Sequence, residues 1–298
     1  MFLLTSIIDI CKKLTDIITK KNIKMIQKIK IFVSAAINGL INYKIVNGKV
    51  YKMPKSISKA FRPFINSKVE EEEVRLIRST CKGLNNIIDI GANVGFLSLE
   101  MAQVAKGKIF CFEPNPYTFS KLVDLVSINK DKGSDFNFIC AAVGETSNFV
   151  NFYVSERDYL GVMSSQVQTD PDAKLIKVPI VSLDDFFYEE ELKIDFIKID
   201  VEGAELFVLK GAIQLLKKFS PKLLIEIHGP FLHSFGYTVS DLFQFLNELG
   251  YQSYNIVTNQ VLSLEEFTKN TGKCVKHPIS GEDMSVDGYG NVLFVMNE

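Results

Sequence analysis

The sequence predicts an α/β protein built on a mostly parallel sheet of seven strands, with an antiparallel edge at its C-terminal end. Three observations support this fold class. From Asn86 onward, short apolar runs alternate with amphipathic helical patterns, which is typical of a parallel sheet covered on both faces. A glycine-containing turn joins the first run to the first helix. An acid, Glu113, closes the second run, and this arrangement is typical of folds that bind nucleotide-like ligands.

The chain is expected to divide into an N-terminal helical and hairpin extension, residues 1–80, and a ligand-binding domain, residues 81–298. Apolar residues recur at helical spacing through residues 1–40, and the first 30 residues contain seven lysines and two aspartates. This pattern predicts a basic amphipathic helix. We expect the helix to pack on the main domain or on a second copy of the chain, with an anionic membrane or another partner as the alternatives.

Two further elements are predicted within the extension. Alternating residues on either side of Asn47-Gly48 indicate a β-hairpin. Ser67 is positioned to cap a helix that ends near Cys81. The acids at 70–73 lie in the first turns of this helix, where negative charge is favourable, and we expect them to form a solvated face.

The main domain is predicted to contain seven strands and four longer helices. The strands are expected at 86–90, 108–113, 136–143, 194–199, 223–227, 251–258 and 291–296, and the helices at 95–105, 117–129, 204–217 and 239–249. The last two strands are expected to form the antiparallel edge. Between Val143 and Ile194, strand-like segments and a short helix capped by Ser182 replace a crossover helix. This insertion is a candidate lid or substrate loop.

The turn after the first strand, Asp89-Ile-Gly91-Ala-Asn93-Val-Gly95, is the predicted cofactor loop. Glycine lets the backbone approach a ligand closely, and the free N–H groups of the following helix can bind a carboxylate or phosphate. Asp89 suits a ligand with an ammonium group, and Glu113 can accept hydrogen bonds from two ribose hydroxyls. S-Adenosylmethionine has both groups. A dinucleotide fingerprint has glycine in place of Asn93, which argues against a nicotinamide cofactor.

Polar residues follow the fourth and fifth predicted strands. Asp200 comes directly after the fourth strand, and Glu226 and His228 end the fifth. Because the carboxyl ends of parallel strands lie at the same edge of a sheet, we expect these three side chains to meet beside the ligand.

The sequence resembles the FkbM family of S-adenosylmethionine-dependent methyltransferases. The resemblance covers about residues 85–230 and is carried by six motifs: Asp89-Ile-Gly-Ala-Asn-Val-Gly95, Phe112-Glu113-Pro-Asn115, Ala141-Ala-Val-Gly144, Ser182-Leu-Asp-Asp185, Ile197-Lys-Ile-Asp200-Val-Glu-Gly203-Ala-Glu205 and Glu226-Ile-His228. It implies the class I methyltransferase, Rossmann-like fold and methyl transfer to oxygen, often a hydroxyl of a sugar or secondary metabolite. It also implies a cofactor site formed by Asp89, Gly91, Asn93, Gly95, Glu113 and Asn115, with Ala142 near the adenine.

The implied reaction is an in-line displacement in which a substrate oxygen attacks the sulfonium methyl group. An alkyl hydroxyl needs a base within hydrogen-bond reach. His228 is the first candidate for this base and Asp200 the second, and Glu226 would orient or charge either of them. The acceptor is expected to be a glycan or glycolipid-precursor hydroxyl, held by residues 155–172 and 229–237. A divalent metal on the same three side chains is the alternative arrangement, and we predict no metal.

Composition and charge bear on the remaining classes of function and on the location of the protein. The formal net charge of −1 gives no indication of nucleic-acid binding. Five scattered cysteines indicate a reduced cytoplasmic chain without a zinc site. No apolar run approaches the roughly 18 to 20 residues of a membrane span, and the lysines follow the first apolar run, which argues against a secretory signal. We therefore expect a cytoplasmic location.

Two other function classes fit the same topology. One is a nicotinamide-dependent oxidoreductase, and the other is a non-catalytic protein that binds S-adenosylmethionine and a partner. The sequence leaves the identity of the acceptor and the oligomeric state open, including a homo-oligomer.

Overall fold

The computed structural model describes residues 41–46, 49–54, 57, 68–130, 135–154, 174–189, 191–271, 273–276, 283–286 and 289–297. The chain divides into two compact units, residues 1–71 and 72–298. The helix predicted within residues 1–40 and the predicted substrate loop at 155–172 lie outside the described residues.

The first unit contains a β-hairpin. Strand β1 (Ile41–Val46) pairs antiparallel with β2 (Lys49–Pro54), with Val46 opposite Lys49. Two residues therefore connect the strands, and the hairpin predicted around Asn47-Gly48 is confirmed.

A helix, α1 (Lys68–Thr80), leads into the second unit and confirms the helix predicted after Ser67. The elements that follow are β3 (Ile87–Ile90), α2 (Phe96–Ala102), β4 (Lys108–Phe112), α3 (Pro116–Asn129), β5 (Asp135–Ile139), β6 (Ala142–Val143), β7 (Asn148–Val154), β8 (Lys174–Val181), α4 (Leu183–Phe186), β9 (Phe196–Ile199), α5 (Glu205–Lys210), α6 (Ile213–Phe219), β10 (Lys222–His228), α7 (Gly229–Ser234), α8 (Val239–Glu248), β11 (Tyr251–Asn255), α9 (Leu264–Thr271), β12 (Lys273–Lys276), β13 (Asp283–Val286) and β14 (Tyr289–Met296).

Seven strands form the main sheet, in the order β11-β14-β10-β9-β3-β4-β5. Strand β14 runs antiparallel to both of its neighbours, and the pairs from β10 to β5 are parallel. The predicted mostly parallel sheet with an antiparallel C-terminal pair is thereby confirmed. All four residues of β3 and of β9 are buried, as expected for central strands covered on both faces.

The insertion forms a small sheet of its own. Strands β7 and β8 pair antiparallel, and β6 pairs parallel with β8. The single strand predicted at 136–143 is therefore wrong: it is divided into β5, in the main sheet, and β6, in the small sheet. The side chains of Phe152, Val154 and Val178 form the buried core of the small sheet together with Ala142 and Ala204.

One predicted helix, at 204–217, is two helices in the structure. The chain breaks at Gly211-Ala212, between α5 and α6. The carboxylate of Asp184 accepts hydrogen bonds from the backbone N–H groups of Gln214 at 2.9 Å and Leu215 at 2.8 Å. These donors at the start of α6 would otherwise lack partners, so α4 supplies the cap that permits the break.

Three smaller differences from the sequence expectations lie in the second unit. A short helix, α7, occupies most of the predicted 229–237 loop, and Pro230 stands in its first turn, where a missing N–H costs nothing. The β12–β13 hairpin was not predicted. Glu73 is partly buried and does not share a solvated face. None of the helices in the described part of the chain is both long and apolar enough to cross a bilayer.

Candidate active site

Strand register places a row of polar residues on one face of the main sheet. Lys198 on β9 lies opposite Asp89 on β3 and opposite Leu224 on β10. Side chains alternate along a strand, so Glu226 shares the face of Leu224. Asn291 on β14 lies opposite Glu226. The row therefore crosses four strands, near the carboxyl ends of β3, β9 and β10 and near the start of the antiparallel β14.

The turn between β3 and α2 is pressed against the end of β9. Gly91 has a φ of +75°, and a Cβ built on it would lie 1.8 Å from the backbone oxygen of Asp200. Gly95 has a φ of +84° and stands directly before α2. Both positions require glycine, one for close approach and one for its left-handed backbone. Asn93 between them also has a positive φ, +50°.

Glu113 and Asn115 lie beside this turn. The Glu113 carboxylate accepts hydrogen bonds from the backbone N–H of Asn93 at 3.0 Å and of Asn115 at 2.9 Å. Each oxygen keeps a further lone pair for a ligand hydroxyl. Burial raises the pKa of Glu113 to about 7, although these two hydrogen bonds lower it. The Asn115 side chain accepts from Tyr117 N–H at 3.0 Å and caps α3, and its Nδ2 has no hydrogen-bond partner among the described residues.

Asp89 is fully buried next to the turn between β3 and α2. Its Oδ2 accepts a hydrogen bond from Ser98 Oγ at 2.5 Å, and its Oδ1 lies 3.9 Å from Lys198 Nζ. Burial raises the pKa of Asp89, while Lys198 and Ser98 lower it. Asp89 thus ties α2 to the sheet, and its role with a cofactor ammonium stays a prediction.

Asp200, Glu226 and His228 meet at the ends of β9 and β10. His228 Nε2 lies 3.6 Å from Asp200 Oδ1 and 3.7 Å from Glu226 Oε1, and Lys198 Nζ donates to Asp200 Oδ2 at 3.0 Å. The side chains of Asp200 and Glu226 keep 28% and 19% of their surface, so solvent reaches the cluster. One ligand atom from each of the three residues lies within 4.8 Å of the others, which is also compatible with a small metal ion.

Opposite charges set the protonation of this cluster. Burial lowers the pKa of His228, but Asp200, Glu226 and Glu205 outweigh it and raise the pKa to about 9. Burial raises the pKa of Asp200, but Lys198 and His228 outweigh it and hold this pKa well below its usual range. At neutral pH His228 is therefore the charged imidazolium, next to an ionised Asp200.

Comparison with known proteins identifies the family. The profile of the methyltransferase FkbM domain matches residues 89–253. The chain belongs to the FkbM methyltransferase family. This membership confirms S-adenosylmethionine as the cofactor.

The relatives cover part of the chain. Methyltransferase 1 of Beauveria bassiana is 31% identical over 142 residues, and hexuronic acid methyltransferase AglP of Haloferax volcanii is 27% identical over 161 residues. These matches cover 42% and 54% of this chain, and the chain spans 57% and 63% of the length of the two curated relatives. The crystal structure of methyltransferase FkbM from Methylobacillus flagellatus aligns with a TM-score of 0.41 at 17% identity, over 71% of this chain and 43% of that one.

The predicted cofactor site of this FkbM chain fits an adenosyl group at Glu113. The carboxylate has lone pairs to spare, Asn115 Nδ2 is a buried donor without a described partner, and the close contact at Gly91 brings the turn to the edge of the cleft. Asn93 N–H holds Glu113 in place. Ala142 is placed differently, in the core of the small sheet, at 2% exposure. Its assignment to the adenine stays a prediction.

Two residues at the candidate site were not among the sequence candidates: Lys198, which is buried, and Glu73, which is partly buried. Lys198 neutralises Asp200 and Asp89, and a lysine two residues before the strand-end aspartate, in an otherwise apolar run, was the available signal. Glu73 comes from α1 and has Lys198, Glu226 and Asp200 among its electrostatic neighbours. Its position in a run of four acids gave no signal. Within the 229–237 segment predicted to hold the acceptor, the ring centroid of Phe231 lies 6.0 Å from that of His228, and Phe235 packs on Phe207.

Proposed function

We propose that this chain transfers the methyl group of S-adenosylmethionine to a hydroxyl oxygen of a sugar, glycan or related metabolite. The observation that carries the proposal is the solvent-accessible cluster of Asp200, Glu226 and His228, directly beside the cofactor turn of an FkbM family member. The name of the Haloferax volcanii relative, a hexuronic acid methyltransferase, favours a sugar acceptor.

The protein residues handle the proton of the acceptor. When bound, S-adenosylmethionine supplies the methyl group as part of a sulfonium. His228 Nε2 accepts the proton of the acceptor hydroxyl as the oxygen–carbon bond forms, and Asp200 and Glu226 stabilise the resulting imidazolium at 3.6 and 3.7 Å. Asp200 is a weaker candidate for the base because its pKa is held low by Lys198 and His228 despite its burial.

His228 must lose its own proton before it can act as a base. Asp200, Glu226 and Glu205 raise its pKa to about 9 against the effect of burial, so most of the free protein carries the imidazolium at pH 7. Positive charge bound beside the ring, such as a sulfonium, lowers this pKa and promotes the loss of the proton. The base is therefore prepared by cofactor binding.

Methyl transfer to a panel of acceptors tests the function. Labelled S-adenosylmethionine is incubated with hexuronic acids, neutral hexoses and their glycosides, and O-linked label is expected in at least one sugar class. Incubation with a chelator is expected to leave the rate unchanged. Transfer of label only to carbon or nitrogen, or to no acceptor while S-adenosylhomocysteine still binds, would contradict the proposal.

His228→Ala and Glu226→Gln test the base. His228→Ala is expected to keep its affinity for S-adenosylhomocysteine and lose about 10²- to 10⁴-fold in kcat. In the wild type, kcat/KM for S-adenosylmethionine should rise with pH toward about 9, because His228 of the free protein must lose its proton. Glu226→Gln should move this limb down by about one pH unit, because one stabilising charge is lost. Glu191→Gln, an exposed glutamate, should not move it. Near-normal turnover in His228→Ala would exclude the base.

A further inference from the structure

Glu73 on α1 is a partly buried residue with an enclosed Oε1 atom, and the proposed mechanism does not use it. Val74, Ile77 and Cys81 form the buried stripe of this helix and its end. At 100° per residue, Glu73 and Arg78 flank the stripe on opposite sides. Arg78 Nε donates to Glu100 of α2 at 2.5 Å, which fixes the rotation of the helix. Glu73 is therefore directed away from α2, across the sheet.

The position of Glu73 along the helix brings it toward the carboxyl ends of the parallel strands, where the candidate site lies. Helix α1 ends at Thr80, shortly before the first residue of β3, so its C-terminal end lies at the amino ends of the strands. Glu73 lies seven residues earlier, or roughly 10 Å back along the axis. Its charged neighbours are Lys198, Glu226 and Asp89, which belong to the row of polar residues on the sheet, and Asp200, which directly follows β9.

Among the residues that the structure describes, the region around Glu73 has more carboxyl groups than cations. Glu73, Asp89, Asp200 and Glu226 all act on Lys198. Glu73 Oε1 and Asp89 Oδ1 are buried without a hydrogen-bond partner among the described residues, and the Asp89 atom is 3.9 Å from Lys198 Nζ. Burying carboxylate oxygens without donors is strongly unfavourable. The group that completes this site must bring positive charge and N–H donors.

The cofactor has one such group. If the adenosyl end is held at Glu113, after β4, the amino-acid end extends past the tip of β3 toward β9, because these strands are adjacent in the order β9-β3-β4. The sulfonium has no N–H, whereas the α-ammonium has three. We propose that Glu73 binds the α-ammonium of S-adenosylmethionine, with Asp89 behind it. This inference rests on the cofactor of the proposed function and is independent of the acceptor.

Protonation supports the same assignment. Burial raises the pKa of Glu73 to about 7; Lys198 lowers it, and Glu226, Asp200 and Asp89 raise it. In the free protein, burial thus favours the protonated carboxyl far more than it would be favoured in water. An ammonium beside it favours the carboxylate, which then accepts a charge-assisted hydrogen bond.

Calorimetric titration of Glu73→Gln with two ligands tests the inference. The ligands are S-adenosylhomocysteine and its analogue with hydrogen in place of the amino group. Removing the charge should weaken S-adenosylhomocysteine about 10- to 100-fold, as expected for a hydrogen bond between charged groups, and leave the analogue within about twofold of the wild type. Glu73→Asp keeps the charge but shortens the side chain, and should show a smaller loss for S-adenosylhomocysteine alone.

The controls separate this role from a structural one. Glu191→Gln removes an exposed carboxylate and should change neither affinity. Equal losses for both ligands in Glu73→Gln, or no loss for either, would show that Glu73 serves Lys198 and the fold, and would overturn the inference. Failure of the wild type to bind S-adenosylhomocysteine would overturn the inference and the proposed function together. Failure to find an oxygen acceptor would affect the proposed function alone.

Discussion

Asn93 holds the cofactor turn in a left-handed conformation that most residues avoid. Its φ is +50°, and its backbone N–H donates to Glu113 Oε2 at 3.0 Å. Glycine and asparagine adopt this region most readily, the first because it lacks a Cβ and the second because its short polar side chain can bond locally. The asparagine that departs from the dinucleotide fingerprint therefore satisfies the same backbone requirement as a glycine.

A pair of substitutions at Asn93 separates backbone from side chain. Asn93→Gly should keep stability within about 0.5 kcal/mol of the wild type, whereas Asn93→Ala should lose about 1 to 2 kcal/mol because alanine is strained at positive φ. Both substitutions remove the side-chain amide, so the difference between their free energies of unfolding measures the cost of the positive φ at this position. Urea unfolding measures it. Equal losses in the two variants would show that the asparagine side chain, not φ, is what the turn needs.

At this scale the sequence identifies the residues that a local motif constrains. Gly91 and Glu113 follow from a turn spacing and a strand end, and the structure places both at the turn between β3 and α2. Asp200, Glu226 and His228 follow from strand ends in the same way. Glu73 does not, because its environment is created by Lys198 and Asp200, more than 120 positions away in the chain, and no local pattern encodes that contact.

Among the elements, α6 depends on a residue outside itself. The Asp184 carboxylate on α4 accepts hydrogen bonds from the backbone N–H groups of Gln214 and Leu215. The backbone N–H of Asp184 donates to the carbonyl of Gly211 at 2.9 Å. The break between α5 and α6 was not predicted, because the apolar spacing runs on through 204–217. Periodicity reports which face of a helix is buried, whereas a cap supplied from 30 or more residues away is a tertiary contact.

Removing the Asp184 carboxylate should destabilise the second unit. Asp184→Ala removes the acceptor of two backbone donors at the start of α6, one of them exposed to water, and should cost about 1 to 2 kcal/mol. Asp184→Asn retains one acceptor oxygen and should lose about half as much. Glu189→Gln, an exposed neighbour, is the control and should change stability by less than about 0.5 kcal/mol. Urea midpoints rank the four proteins, and an Asp184→Ala variant as stable as the control would refute the role of the cap.

Over the whole molecule, a net charge of −1 conceals an uneven distribution. Among the described residues of the second unit, four carboxyl groups have a pKa raised to about 7, in each case chiefly by burial: Glu73, Glu113, Glu202 and Glu205. The imidazole of His228 has a pKa raised to about 9 by neighbouring carboxylates, although burial opposes this. A site that concentrates acids is unfavourable for the free fold and suits a ligand with cationic groups.

This distribution predicts that the free protein loses stability as pH rises from 5 to 9. A buried acid with a raised pKa retains a proton that the unfolded chain releases, so the fold becomes less favourable as pH rises from 4.5 through 7. His228, with its pKa raised from 6.5 to about 9, stabilises the fold fully below pH 6.5, and this contribution is lost as pH rises through 9. Both effects have the same sign, and Tm should fall by about 5 to 10 °C.

Glu205→Gln tests which groups cause this pH dependence. Gly203 N–H donates to Glu205 Oε1 at 3.0 Å, and a glutamine oxygen can accept the same bond, while Oε2 has no hydrogen-bond partner among the described residues. The variant should therefore be more stable than the wild type above pH 7. Its Tm should also fall less than that of the wild type between pH 5 and 7. Glu248→Gln, on the exposed side of α8, should leave the profile unchanged. Differential scanning fluorimetry at constant ionic strength records both, and a Tm that rises between pH 5 and 8 would contradict the assignment, because the buried carboxyls would then be ionised and paired in the free fold.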